Sequence, residues 1–346
     1  DEINDTPSDI VLNGNAWGTS TAGITAGVSK TKAIFGEVNV PLLRDLPMVE
    51  SLDVTASARY TDVDTYGNGT TYKVGGTWQV LPTFRLRSTY GTSFRTPALF
   101  ELFLENQTSS LNVRGSDPCV RWGTALANGT ISQNTANNCA ADGIPDDFTG
   151  GAITADIITG GGVGLLDAET SKNFTVGAIW SPEFSDLKVS LDYFKIEVND
   201  QIAQLGAATI LRGCYGSEAF ATEPLCDLIT RLPPGIDEFR VDTIRDSYIN
   251  INSQVNEGLD LNIRHGLDTR WGRLVSDFTA TYQIDDVITL LASGTFIDNN
   301  GERGNPKITG NLNLNFDANG PWRFVWNMDH IGQTSNADQF VRLGRQ

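Results

Sequence analysis

Long runs of alternating apolar and polar residues recur along this chain. In residues 52–61, for example, Leu52, Val54 and Ala56 alternate with Asp53, Thr55 and Ser57. Successive side chains of a β-strand point to opposite faces, so the pattern predicts strands with one apolar and one hydrophilic face. Some ten such segments can be placed, near 31–40, 52–61, 72–80, 84–91, 172–180, 187–198, 249–264, 272–282, 307–316 and 322–330.

Several of these strands are long enough to cross a membrane. A tilted membrane-spanning strand needs about 9 to 11 residues, whereas strands of soluble proteins usually have about 5 or 6. The longest run is 249–264, in which Glu257 alone departs from the apolar face. In 187–198 the apolar face changes side after Tyr193. We expect either a β-bulge near Tyr193 or an upper half that lies beyond the lipid and need not keep the pattern.

The connections alternate between short and long, as in outer-membrane barrels with short periplasmic turns and long extracellular loops. The exception is the first short link, which is no shorter than the first loop. Aromatic residues cluster near strand ends, as at membrane interfaces. The predicted fold is therefore all-β, an antiparallel transmembrane β-barrel with long extracellular loops. The short links are 41–51, 81–83, 181–186, 265–271 and 317–321, and the long ones are 62–71, 92–171, 199–248 and 283–306.

Composition and charge narrow the class of protein. No stretch approaches the roughly 18 consecutive apolar residues of a transmembrane helix. The net charge of −17 argues against nucleic acid as a partner, because phosphate backbones need a basic face. The first ten residues carry neither a basic nor an apolar leader segment. We therefore expect that any export signal has been removed or lies outside this chain.

The four cysteines form two local pairs, each within a Gly-, Asn- and Asp-rich stretch. We predict the disulfides Cys119–Cys139 and Cys214–Cys226, which imply an oxidising compartment outside the cytoplasm. A zinc site is the disfavoured alternative, because the spacing is wrong and neither histidine lies near these pairs in sequence. The segment 203–235 has helical character, so we expect a short helical hairpin that Cys214–Cys226 closes.

Other patterns predict no chemistry. Asp62, Asp64 and Asn68 resemble part of a calcium loop, but the remaining ligand positions do not fit, so a solvated hairpin tip is favoured. The glycine run 160–164 lacks the Lys-Ser/Thr of a phosphate cradle, and we expect a flexible loop there. We assign no catalytic residue, metal or cofactor. Three loop aromatics are candidates for stacking on a ligand: Trp122, Tyr215 and Tyr248.

Several sequence motifs resemble those of the barrel of the TonB-dependent outer-membrane receptors. The resemblance extends to their order and spacing and covers about residues 31 to 330. The first, SFRTPALFELF, follows a strand, and the later ones are LDAETSKNFTVGAIWSPEF and LKVSLDYFKIEVNDQI. The proline usual after Leu166 is absent. The matched positions of the first phrase are Phe94, Arg95, Pro97, Leu99, Glu101, Leu102 and Phe103, and those of the later phrases include Glu169, Gly177, Asp192, Tyr193 and Ile196.

The resemblance implies a barrel of 22 strands, an N-terminal plug inside it, and a plug-borne segment that engages TonB in the outer membrane of a Gram-negative bacterium. About ten of those strands are found here, so we expect residues 1–346 to be part of the barrel, with plug and C-terminal strands outside this chain. Its partners would be outer-membrane lipid, the TonB complex and a small nutrient such as an oligosaccharide, siderophore or vitamin. Loop composition favours carbohydrate or peptide-like ligands slightly over ferric siderophores. A passive porin and a soluble secreted β-sandwich or adhesin remain the alternatives.

Overall fold

The structure is a computed structural model that describes residues 1–9, 22–151, 154–233, 235, 237–289 and 296–335. It divides into two compact units. The strand unit comprises Thr31–Thr96, Ala168–Gln201 and Ile251–Gln346, and the loop unit comprises Asp1–Lys30, Pro97–Asp167 and Ile202–Asn250. None of the helices in the described residues is long and apolar enough to span a membrane.

The secondary structure is mostly strand. Numbered along the chain, the strands are β1 (Glu2–Asp5), β2 (Thr25–Val28), β3 (Thr31–Leu46), β4 (Val49–Val63), β5 (Gly67–Leu81), β6 (Phe84–Arg95), β7 (Gln107–Asn112), β8 (Thr154–Thr159), β9 (Glu169–Trp180), β10 (Asp186–Ala203), β11 (Ile229–Arg231), β12 (Val241–Arg245), β13 (Ile249–Thr269), β14 (Gly272–Thr289), β15 (Phe296–Asp298), β16 (Ile308–Ala318) and β17 (Arg323–Ile331). The α-helices are α1 (Leu99–Phe103), α2 (Trp122–Ala127), α3 (Gln133–Ala141) and α4 (Ala207–Gly216), and 3-10 turns lie at Val113–Gly115, Phe220–Thr222 and Pro224–Leu228.

One antiparallel sheet forms the strand unit and confirms the predicted fold class. Its strand order is β17-β16-β14-β13-β10-β9-β6-β5-β4-β3, and β15 pairs with β14. These ten strands coincide with the ten predicted segments, and most extend beyond the predicted ends. The strand register keeps apolar residues on one face and polar residues on the other. Leu52, Trp78 and Leu86 lie side by side on the first face, and Asp53, Thr77 and Arg87 lie on the second.

The first connection differs from the prediction. Strand β3 continues past Pro41 to Leu46, and β4 begins at Val49, so the predicted link 41–51 is only the turn Pro47–Met48. The register shifts between Pro41 and Leu43, and a bulge of this kind accommodates a residue that has no N–H to donate. The first predicted loop, 62–71, is likewise a hairpin with the tip 64–66.

With the turns corrected, every connection at one edge of the sheet is short, whereas the other edge carries the three long connections and the hairpin tip 64–66. Because neighbouring strands are antiparallel, alternate connections lie at the same edge. The turns 47–48, 82–83, 181–185, 270–271 and 319–322 lie at one edge, and the connections 64–66, 96–168, 204–248 and 290–307 at the other. The first short link, 47–48, is therefore shorter than the first loop, 64–66, and no longer departs from the alternation.

The pairing of β10 with β9 shows no β-bulge near Tyr193, contrary to the first of the two expectations. Strand β10 pairs with β9 without a shift from Val189 opposite Trp180 to Asn199 opposite Thr170. The shift lies instead in the β13–β14 pair, between Glu257 and Gly258. Phe194, the first apolar residue after the face change, packs against Gly258 on β13. A Cβ added at Gly258 would lie 2.7 Å from Cζ of Phe194. An aromatic ring therefore occupies the space that the glycine leaves on the neighbouring strand.

The loop unit combines two long connections of the chain. Strands β7 and β8 belong to the connection 96–168 and strands β11 and β12 to 204–248, yet they form one sheet in the order β11-β12-β8-β7. The central pair β12–β8 is parallel and the outer pairs are antiparallel. The predicted helical hairpin is half correct, since its first arm is α4 but its second arm consists of 3-10 turns.

Candidate functional site

Two distant motif residues form an ion pair across neighbouring strands. Arg95 ends β6, Glu169 begins β9, and the two residues lie opposite each other in the register. Nε and Nη2 of Arg95 donate to the two carboxylate oxygens of Glu169 at 2.7 and 2.6 Å. This bidentate geometry is the strong form of an arginine–carboxylate contact. It holds together the points at which the chain leaves β6 and returns in β9.

A second pair spans three strands on the hydrophilic face of the sheet. Arg87 on β6 and Asp192 on β10 lie on either side of Gly177 on β9. The guanidinium reaches across the glycine and donates to both oxygens of Asp192 at 2.8 and 2.7 Å. A Cβ at position 177 would lie 1.9 Å from Oδ1 of Asp192. Glycine is therefore required there by the ion pair that passes over it.

The rest of the first motif phrase forms a helix and a small core. After Pro97 the chain enters α1, where the Glu101 carboxylate accepts the N–H of Ala98 at 2.7 Å. Leu102 is buried with Leu166 and Ile202, and Phe103 packs against this cluster. The helix is too short to be stable alone, so the buried contacts hold it in place.

The glycine run 160–164 is attached to this helix and is not an independent loop. The N–H groups of Gly161, Gly162 and Val163 donate to carbonyl groups of Leu104, Glu101 and Leu102. A Cβ at Gly161 would lie 2.2 Å from the carbonyl oxygen of Leu102. The glycines therefore allow two backbone segments to approach closely and satisfy carbonyl groups at the helix end.

The remaining motif residues pack locally within the sheet. Phe94 lies against Gly69, where an added Cβ would be 2.7 Å from Cε1 of the ring. The rings of Tyr193 and Phe174 contact each other with centroids 6.2 Å apart. Ile196 is exposed, and Leu99 begins α1. None of these contacts suggests chemistry, and we interpret them as wall packing.

Both predicted disulfides are present in the loop unit. Cys119 pairs with Cys139, and Cys214 pairs with Cys226. Each bridge closes a loop within one of the two long connections, of 20 and 12 residues respectively. The bridges therefore shape each connection but do not link one to the other.

Hydrogen bonds from α3 join the two connections. Asn138 is buried, and its Nδ2 donates to the carbonyl oxygens of Tyr215 and Ser217 at 2.9 and 2.8 Å. Asn134, one helical turn earlier, donates to Gly216 and Ser217 at 2.9 and 3.0 Å. These two side chains satisfy carbonyl groups at the end of α4, which an isolated helix would leave without partners.

A buried ion pair makes the second junction. The guanidinium of Arg231 donates to both oxygens of Asp117 at 2.8 Å, and the two side chains are 10% and 1% exposed. Arg231 also donates to the Tyr215 hydroxyl at 2.6 Å, and that hydroxyl donates to Asp142 at 2.6 Å. Burial disfavours the charged guanidinium, but the hydrogen bonds and charge of Asp117 outweigh it and raise the pKa of Arg231 above its usual value.

The three aromatic ligand candidates have different environments. Tyr215 is 2% exposed beside Arg231, so its ring has no free face, and the prediction that it stacks on a ligand is wrong for this structure. Trp122 is half-buried, and its Nε1 donates to Ile144 at 2.9 Å. Tyr248 is half-buried edge-on to Phe100, and burial raises its pKa. Trp122 and Tyr248 remain candidates.

Sequence reasoning missed the residues that join the loop unit. Arg231 and Asp117 lie 114 positions apart in segments without periodicity, and no local signal connects them. Within the described residues, no group of three His, Cys, Asp or Glu side chains could hold a metal ion. What the unit offers chemically is a pre-organised polar surface for binding.

Comparisons with known proteins agree with the fold. A family model described as TonB dependent receptor-like, beta-barrel, matches residues 4–345. A mutant ferric enterobactin receptor from Pseudomonas aeruginosa is 16% identical, with a TM-score of 0.55, over 94% of this chain and 36% of its own. Another mutant of that receptor, in complex with enterobactin, is 15% identical, with a TM-score of 0.53, over 89% of this chain and 33% of its own.

The chain thus spans about a third of the length of these solved receptors. At this level of identity the likeness shows the fold alone. No curated protein matches the chain.

Proposed function

Because the chain belongs to the β-barrel family of the TonB-dependent receptors, which are outer-membrane proteins of Gram-negative bacteria, we propose that the complete protein imports a small nutrient by TonB-linked transport. This chain would contribute barrel wall and extracellular loops. The plug and the C-terminal strands would come from parts of the protein outside residues 1–346. The family match over nearly the whole chain is the observation that carries the proposal.

Two features of the structure support a receptor. One edge of the sheet carries only short turns, and the two long connections, 96–168 and 204–248, both emerge at the opposite edge. These connections share one sheet and a buried ion pair within the loop unit. A pre-organised loop surface loses less conformational entropy on capturing a ligand than separate mobile loops do.

The transported substrate is a nutrient such as an oligosaccharide, a siderophore or a vitamin. The hydrophilic face of the strands is rich in Ser, Thr and Asn, which suits a polar lumen. Trp122 and Tyr248 are the aromatic side chains that we propose to contact the ligand. No group in the described residues is assigned a catalytic role.

Uptake in matched strains tests the function. Cells that express the complete gene would be compared with a deletion strain and with a strain that also lacks TonB, using radiolabelled candidate nutrients at sub-micromolar concentration. We expect saturable uptake that needs both the receptor and TonB. Uptake that needs the receptor but persists without TonB would indicate a passive porin and contradict active import.

A further inference from the structure

The loop unit contains an open cavity of about 390 Å³ with two arginines in its wall, Arg114 and Arg121. Thr149 and Val120 complete the lining. Residues 97–167 contain eight Asp or Glu but no other Arg or Lys. Both cations of an acidic segment therefore meet at one cavity, although seven positions separate them in sequence.

The charges of these two arginines are not neutralised. Within the described residues, neither Arg114 nor Arg121 forms an ion pair, and both are exposed. Nη2 of Arg114 donates to the carbonyl oxygen of Gly151 at 3.0 Å, which anchors the side chain beside the cavity without removing its charge. Arg231 of the same unit is different, because the carboxylate of Asp117 neutralises its charge.

The backbone at Arg121 is held in an unfavourable conformation. Its φ of 50° lies in the left-handed region, which residues other than glycine seldom adopt. The N–H of Arg121 donates to Phe148 at 2.7 Å, a bond that keeps this residue next to the segment carrying Thr149. Strain of this kind persists only where surrounding contacts enforce it, and it is common at binding sites.

The side chain of a third arginine, Arg240, lies beside the same segment. A Cβ added at Gly151 would be 3.3 Å from Cβ of Arg240. Its Nη2 forms an ion pair with Asp242 at 3.4 Å, but its Nε is buried and has no hydrogen-bond partner within the described part of the chain. A buried donor without a partner is costly, and a bound acceptor or water is the usual reason for one.

We propose that this cavity is an oxyanion site, which takes a carboxylate or phosphate group of the molecule captured by the loop unit. The inference rests on the proposed receptor function and narrows its substrate to acidic molecules. Guanidinium groups bind such oxyanions through paired, charge-assisted hydrogen bonds, and the Thr149 hydroxyl adds another donor. A protein with net charge −17 repels anions at long range, so local cations are needed to hold one.

Calorimetric titration of the complete receptor in non-ionic detergent tests the site, with inorganic phosphate and citrate as probes. We expect the double variant Arg114→Gln/Arg121→Gln to raise the Kd at least tenfold, and the conservative Arg121→Lys to retain part of the affinity. The matched control is Arg245→Gln, an exposed arginine of the same unit that lies about 16 Å along β12 from Arg240. It should change the Kd less than twofold.

Nanodiscs distinguish the source of the anion. Competition by phosphatidylglycerol against phosphate would identify a lipid headgroup, whereas undisturbed phosphate binding identifies a soluble ligand. Both results require the arginines and support an oxyanion site. Binding that is unchanged in the double variant, or lowered equally by Arg245→Gln, overturns it. The titration does not depend on transport, so a failure of TonB-linked uptake with intact anion binding would reject the proposed function alone.

Discussion

Replacing Arg231 by methionine tests whether the two long connections form one cooperative unit. The substitution keeps a long apolar stem but removes the hydrogen bonds to Asp117, Tyr215 and Phe239. Asp117, which is 1% exposed, would then carry a buried charge without its cation. Removing one partner of a buried ion pair typically costs about 3 to 5 kcal/mol.

The expected cost lies at the lower end of that range. Arg231 is 10% exposed, so some water can reach the site, and Asp117 keeps the N–H of Cys119 as a donor at 3.0 Å. We therefore expect the opening free energy of the loop unit to fall by about 3 kcal/mol, which is roughly a 150-fold larger open population. The second variant, Arg231→Met/Asp117→Asn, removes the charge but keeps the acceptor for Cys119. It should recover more than half of the loss.

Native-state hydrogen exchange of the complete receptor in detergent measures this effect. The informative amides are those of β8 and β12, because these strands pair across the two connections. Arg245→Met is the control, and an exposed position of this kind should change the opening free energy by less than about 0.5 kcal/mol. If Arg231→Met changes exchange in β12 no more than this control does, or if the double variant is as unstable as the single one, the buried pair does not join the connections.

Two further predictions concern the strand unit and the loop unit. Gly177→Ala should destabilise the barrel by about 1 to 3 kcal/mol because its Cβ collides with Asp192, whereas Gly76→Ala, with open space around it, should be nearly neutral in thermal unfolding. Asp246 is buried and accepts the N–H of Gly206 at 3.0 Å, and burial raises its pKa above the usual 3.8. Folding therefore favours the protonated form, and this contribution to stability is lost as pH rises through the raised pKa. Asp246→Asn should remove that pH dependence from hydrogen exchange of α4, and an unchanged pH profile would contradict the assignment.

The sequence by itself determined the ten main strands of the strand unit, the alternation of their two faces and the two disulfides. Alternation has a period of two residues, so it can be recognised within a single segment. Cysteines separated by 12 and 20 residues are also a local signal. The motifs that resemble the receptor family are also local signals, because each lies within one continuous segment of the chain.

Only the tertiary structure decided how these segments meet. The pairing of Arg95 with Glu169, the passage of Arg87 over Gly177 and the parallel contact of β8 with β12 all join residues far apart in sequence. Such contacts have no periodicity, and their partners become neighbours only after the sheet has formed. The turn at Pro47–Met48 was missed because Pro41 normally ends a strand, whereas a bulge lets β3 continue. Local patterns therefore fixed the elements, and long-range packing fixed the site.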